Sequence, residues 1–203
     1  MRKLWIAFFL IGCGSSSPTR PEPLVDGGVD GGGGLDGGSC VNTIVEQPLD
    51  PNISPHLPET QTPIYQSNPP VQGPHYERWA RWQKYTQPVP RGFWVHNLEH
   101  GGVVFLYRPD APQDLINALI RVYDAIPIGV DNNGCALHRR AVLTPDPLLD
   151  APWAVTVSGP EAPPGIGYYI KASCIRSEQT LIDFALQHRG RAREDNCDQG
   201  TYP

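Results

Sequence analysis

This sequence predicts a small, single α+β domain with a short central β-sheet, two or three helices and long proline-rich loops. Three observations predict it. Apolar runs of strand length, such as Val103–Tyr107 and Trp153–Ser158, are interspersed with two segments of helical apolar spacing, Pro112–Ile126 and Ser177–His188. Pro (23) and Gly (21) together exceed a fifth of the 203 residues, so loops outweigh long helices. Residues 40–203, once an N-terminal leader and tether are set aside, have the length of one domain with a sizeable core.

The leader comes first. Arg2 and Lys3 precede the apolar run Leu4–Ile11, then Gly12 and Cys13. A basic start, a short apolar stretch and a small residue at the cut describe an export signal over residues 1–12. Leu10-Ile11-Gly12-Cys13 resembles the bacterial lipobox, which implies lipidation of Cys13 and an anchor in a bacterial membrane. Gly14 stands where Asp would retain the protein at the inner membrane, so the expectation is the outer membrane, on its periplasmic or surface face. Residues 14–39 hold nine Gly, four Ser, three Pro and three Asp. Such a composition cannot bury enough surface to offset its ordering entropy, so 13–39 reads as the lipidated cysteine and its tether. As a flexible coil these residues span about 28 Å root-mean-square.

Within the domain, the proline-rich stretch 41–75 reads as extended or irregular chain. Tyr76–Tyr85 is expected to form a short helix carrying Trp79 and Trp82. Val103–Tyr107 follows a glycine pair and reads as a buried strand. Pro112–Ile126 is apolar at 115, 116, 119, 120, 122 and 126, a helical spacing, with Pro112 suited to the first turn. Ala141–Thr144 and Trp153–Ser158 read as strands around the turn Pro145-Asp-Pro, and Tyr168–Ala172 as another. Ser177–His188 reads as a helix, with Ser177 as its N-cap and Gly190 ending it.

Charge excludes one function class. Lys+Arg is 16 against Asp+Glu 21, a net −5, and no basic stripe exists for nucleic acid. No apolar run reaches the roughly 18–20 residues of a membrane helix, so the expected membrane contact is the lipid alone. Setting Cys13 aside leaves Cys40, Cys135, Cys174 and Cys197, which suggest two disulfides in an exported chain, with three connectivities possible. The pairing expected is Cys40–Cys197, clamping the ends of the domain, and Cys135–Cys174.

The histidines carry the functional signal. His96 and His100 lie in Val95-His-Asn-Leu-Glu-His-Gly-Gly102. At i and i+4 they share one face of a helical turn and can reach one ion, while the glycine pair lets the chain turn into the following strand. His75 in Gly73-Pro-His-Tyr76 and His56 in Pro55-His-Leu-Pro58 are both held by rigid backbone. Glu99 and Tyr76 are candidate supporting groups or extra ligands, because metal-bound imidazoles commonly donate their second N–H to a carboxylate. His138 and His188 have arginine neighbours that oppose a cation and read as structural.

The segments Asn68-Pro-Pro-Val-Gln-Gly-Pro-His-Tyr76, Pro88-Val-Pro90, Val95–Val104, Leu143-Thr-Pro145 and His188-Arg-Gly190 together resemble the bacterial domain-of-unknown-function 3105 family, over roughly residues 50–194. The resemblance implies a histidine at the positions of His56, His75, His96 and His100, all kept here. This chain departs from the family in its cysteines, its anchor and longer loops around 128–140 and 159–170. The resemblance implies a fold unit and no activity.

Imidazoles suit Zn²⁺, Cu²⁺, Ni²⁺ and Fe. The only methionine is Met1, which leaves with the signal, so a methionine-based Cu(I) site is excluded. With the cysteines paired, thiolate ligands are excluded too. Copper(II) binds such sites tightest, so copper is favoured over zinc. The leading expectation is therefore a surface-anchored lipoprotein with a copper-type site of His56, His75, His96 and His100. Two alternatives stand beside it. One is a metal-dependent hydrolase or oxidase, since His96-Asn-Leu-Glu99-His100 matches H-x-x-E-H, although that motif needs a long helix and here lies between prolines and a glycine pair. The other is a non-metal interaction module built on aromatics near 76–94.

Overall fold

In chain order the elements are β1 (Ile44–Pro48), β2 (His56–Leu57), β3 (His75–Tyr76), α1 (Arg91–Glu99), β4 (Val103–Tyr107), α2 (Gln113–Ala125), β5 (Ala141–Pro145), β6 (Trp153–Val157), β7 (Ile166–Ala172) and α3 (Glu178–His188). The computed structural model describes residues 40–50, 52, 54–129, 138–160, 165–194, 196 and 198–203. The chain divides into two units, 1–37 and 38–203, and every element belongs to the second. The expected signal, the lipidated Cys13 and the tether to residue 39 lie outside the described residues.

Three helices, a five-stranded mixed sheet and a two-stranded ribbon make this an α+β domain. The sheet order is β1-β7-β6-β4-β5. Within this sheet, among the described residues, only β4 and β5 run parallel, because α2 crosses between them; the other neighbours are antiparallel. Side-chain alternation then assigns two faces. Val103, Phe105, Ala141, Leu143, Trp153, Val155 and Val157 face α2 and α3. Val104, Leu106, Val142 and Ala154 face α1. The central strands are buried on both sides, hence their unbroken apolar runs.

The two amphipathic helices form where their spacing predicts. α2 buries Leu115, Ile116, Leu119, Val122 and Tyr123, and its N-cap is Pro112. α3 starts at Ser177, whose Oγ accepts the Thr180 N–H at 3.3 Å, and stops before Gly190 at φ +68°. Each fully buried Leu or Phe on this face contributes about 1.5–3 kcal/mol.

The expected helix over Tyr76–Tyr85 does not form. β3 ends at Tyr76, and the chain runs on irregularly, bridging to Tyr202 at Ala80 and to Leu143 at Lys84. Tyr85 donates its N–H to Leu143 O (2.7 Å) and Gln83 O accepts that of Leu143 (3.1 Å), so this segment covers the β5 edge. The Trp79/Trp82 spacing imitates a helical stripe. Instead, both indoles donate to Asp198 O, at 3.2 and 2.8 Å.

The expected cysteine pairing is also corrected: Cys40 bonds to Cys174. Neither Cys40–Cys197 nor Cys135–Cys174 can coexist with that bond, and Cys135 and Cys197 themselves lie outside the described residues. Strand register explains it. β1 pairs antiparallel with β7 as Ile44↔Ile170 and Val45↔Tyr169. Extending that register outward by four residues places 40 opposite 174, with Cα atoms 5.9 Å apart. Asn42 locks the same corner, donating to Cys174 O and accepting from Arg176 N–H. Closing 134 residues of chain stabilises by about 5 kcal/mol in the chain-entropy description.

Candidate metal centre

α1 begins after Pro88-Val-Pro90 and packs on the β4 face of the sheet. Residues Gly92–Leu98 are all buried, so the helix has no polar stripe, and its polar side chains must find partners inside. Asn97 is fully buried; its Oδ1 accepts the Ala80 N–H (3.0 Å) and its Nδ2 donates to Ala80 O (2.8 Å). This pair of bonds pins the Trp79 segment against the helix. The indole of Trp79 then lies 5.0 Å from the His96 ring and 4.8 Å from that of His100. At the helix end, Gly101 takes φ +74° and Gly102 lies so close to Trp82 that a Cβ would meet its ring at 2.5 Å.

The other two histidines arrive by strand pairing. β2 and β3 run parallel with His56 opposite His75, which puts the rings 4.9 Å apart. β3 packs on α1, so His75 comes to 4.5 Å from the His96 ring and His56 to 5.1 Å. Ligand atoms of His56, His75, His96 and Glu99 all lie within 4.8 Å of one another. Around a tetrahedral ion with bonds of about 2.1 Å such atoms stand roughly 3.4 Å apart, so the widest pair closes by roughly 1.4 Å.

Hydrogen bonding aims the rings. His75 Nδ1 lies 2.9 Å from Gly73 O, His96 Nδ1 2.7 Å from Tyr76 O, and His100 Nδ1 3.3 Å from Glu194 O. Carbonyls only accept, so each Nδ1 carries a proton, and the Nε2 of a neutral His96 or His100 ring keeps its lone pair. This backbone support is what orients metal-binding imidazoles. The Nε2 atom of His100 is buried without a hydrogen bond, a condition that costs about 1–3 kcal/mol. His75 Nε2 faces Glu99 Oε2 at 2.9 Å, an ion-pair distance without hydrogen-bond alignment. A lone pair facing a carboxylate is favourable once a cation or a proton stands between them.

Electrostatics keep the group ready for a cation. Burial, then the neighbouring His75, push His96 down to about 3. Burial also lowers His100. For Glu99, burial alone would raise the pKa, but His75, Ser54 and His96 outweigh it and hold the carboxyl at about 2. Near neutral pH the centre therefore presents neutral His96 and His100 imidazoles beside one carboxylate, with Arg193 4.0 Å from Glu99 Oε1.

The structure thus gathers all four histidines named from the sequence but sorts them. His56, His75 and His96 share the ligand group with Glu99, which the sequence cast as a supporting residue or extra ligand. His100 stands beside His96, ring centroids 4.6 Å apart. Tyr76 supports His96 through its backbone carbonyl, and its phenol donates to Gln61 O. His138 and His188 are outside the group, His188 packing on Tyr168 and Phe184. Asn97 and Glu194 escaped the sequence reading; an Asn in mid-helix, a poor helix former, was the one available signal for the first.

Three imidazoles and one carboxylate gathered around α1 of an α+β domain make a group that could hold a metal ion. The chain belongs to the family described as Protein of unknown function (DUF3105), whose family model matches residues 56–196. That match begins on His56 and contains every residue of the ligand group. No curated protein and no solved structure matches the chain.

Proposed function

We propose that this chain is an exported, lipid-anchored protein whose domain holds one transition-metal ion, copper(II) in preference to zinc. The ligands are His56, His75, His96 and Glu99. One observation carries the reading: ligand atoms of His56, His75, His96 and Glu99 lie within 4.8 Å of one another, with the His75 and His96 rings held by Nδ1–H bonds to backbone carbonyls. Copper rests on the ligand chemistry, imidazoles without thioether, in a chain whose disulfide suits an oxidising compartment. The anchor rests on Cys13 at the end of the apolar leader, and Gly14, which is not Asp, supports the outer membrane.

A hydrolase of the H-x-x-E-H kind is disfavoured. There both histidines hold the ion and the glutamate stays free to activate water. Here Glu99 stands among the ligand atoms, and α1 has nine residues.

Elemental analysis and intact mass of the protein purified from its own membrane test the proposal. The expected result is about one copper per chain and diacyl or triacyl mass on Cys13 as the first residue. Zinc in place of copper overturns the metal preference, an unmodified Cys13 overturns the anchor, and no metal bound tighter than about micromolar overturns the function.

A further inference from the structure

A single ion on His56, His75, His96 and Glu99 leaves one buried imidazole nitrogen beside it unexplained. His100 is 3% exposed, its Nδ1 is committed to Glu194 O, and its Nε2 has no hydrogen bond. It is prepared as His96 is, and its ring stands 4.6 Å from that of His96. Arg140 Nε fixes the His100 carbonyl at 2.9 Å, so the residue is held at both backbone and ring. His56 is the opposite case. It is exposed, it sits on a two-residue strand, and among the described residues nothing hydrogen-bonds its ring. The most accessible member of the ligand group is thus the least constrained, and the imidazole outside the group is buried and aimed.

Resting on the metal-binding reading, we infer that His100 is a reserve ligand, and that the centre has two overlapping ligand sets that share His96. His56 completes the outer set, which takes a divalent transition-metal ion from solvent. His100 completes the inner set, which retains it. Exchange of His56 for His100 moves the ion inward along the row His75–His96–His100, under the Trp79 ring that covers both His96 and His100. No bond is made or broken other than coordination bonds, and the ion's charge is unchanged. Such a device suits a carrier that loads on contact with solvent and releases only to a partner able to displace an imidazole.

The test uses Cu²⁺ with the full disulfide-bonded chain in detergent, reading equilibrium affinity by chelator competition and release rate by stopped flow. Trp79 fluorescence, quenched by the bound paramagnetic ion, supplies the signal. His100→Asn keeps an N–H for Glu194 O and removes the Nε2 lone pair. Its ion is expected to leave about tenfold faster or more, with the loading rate little changed. His56→Ala is expected to load about tenfold slower and still retain the ion. The double variant should lose far more affinity than the product of the two single losses, because each single variant keeps one complete set. An unchanged thermal midpoint of ion-free His100→Asn shows that the fold is intact; should that variant fail to fold, His100→Gln, which places an amide near the Nε2 position, is read in its stead. Release from His100→Asn at the wild-type rate, with the wild type binding one ion, overturns the reserve ligand and leaves the metal site standing. A wild type that binds no ion overturns both.

Discussion

The two faces of the sheet are built on different physics. The face under α2 and α3 is closed mainly by apolar side chains, among them Phe105, Leu119, Trp153 and Leu181. The face under α1 mixes Trp94, Leu98 and Leu106 with buried His75, His96, Asn97 and His100. On the first face, stability comes from area removed from water. On the second, each polar group needs a partner, and the backbone carbonyls of Gly73, Tyr76 and Glu194 supply one side of every supported imidazole. The difference teaches that one face is a foundation and the other an instrument, and substitutions should separate them.

Phe105→Ala is expected to have the largest effect. It removes a fully buried ring from the α2/α3 side and should cost about 3–5 kcal/mol in chemical denaturation. Ion affinity of the molecules that remain folded should not change. A coupled loss of both would show that the faces are not independent.

Asn97→Ala comes next. It strands the Ala80 N–H and carbonyl in the interior, for an expected loss of about 2–4 kcal/mol across the two groups. Trp79 loses its seat against His96 and His100, so its fluorescence should shift as well. A spectrum identical to wild type would place the control of Trp79 elsewhere.

The same contrast explains what the sequence could disclose. α2 and α3 were legible because one side of each meets the core and the other meets water, which writes a 3.6-residue period. β4, β5 and β6 were legible as apolar runs of strand length. α1 was hidden because Gly92–Leu98 are buried all round, leaving no period to read. Trp79 and Trp82 suggested a helix because spacing alone cannot distinguish a stripe from two indoles drawn to one carbonyl. The disulfide needed the β1–β7 register, a property of pairing partners far apart in the chain. At the site, residue types pointed to His56, His75, His96 and His100, but the His56↔His75 pairing and the promotion of Glu99 over His100 come from tertiary packing.

The smallest expected effect is electrostatic and belongs to the α1 face alone. In the ion-free protein His96 titrates near 3, against about 6.5 when unfolded. The unfolded chain therefore takes up this proton first, so the stability it supplies is complete above pH 6.5 and is lost as pH falls from there toward 3. Between pH 7 and pH 6 its share is about 0.7 kcal/mol. Unfolding free energies from urea titrations at those two values should differ by that amount more in the wild type than in His96→Asn. Glu99, held near 2 against an ordinary 4.5, adds the same sign of dependence only below about pH 4.5. Equal pH slopes in the two proteins would mean that His96 is not held neutral by its surroundings.

Calorimetric titration of Cu²⁺ into the wild type and into the paired variant His75→Asn with His96→Asn tests the central claim most directly. Asparagine preserves the donors to Gly73 O and Tyr76 O while deleting both Nε2 atoms. The account predicts one ion per wild-type chain bound tighter than about micromolar, and a loss of more than about 100-fold in the variant. Equal binding by the two proteins, or none by the wild type, would contradict it.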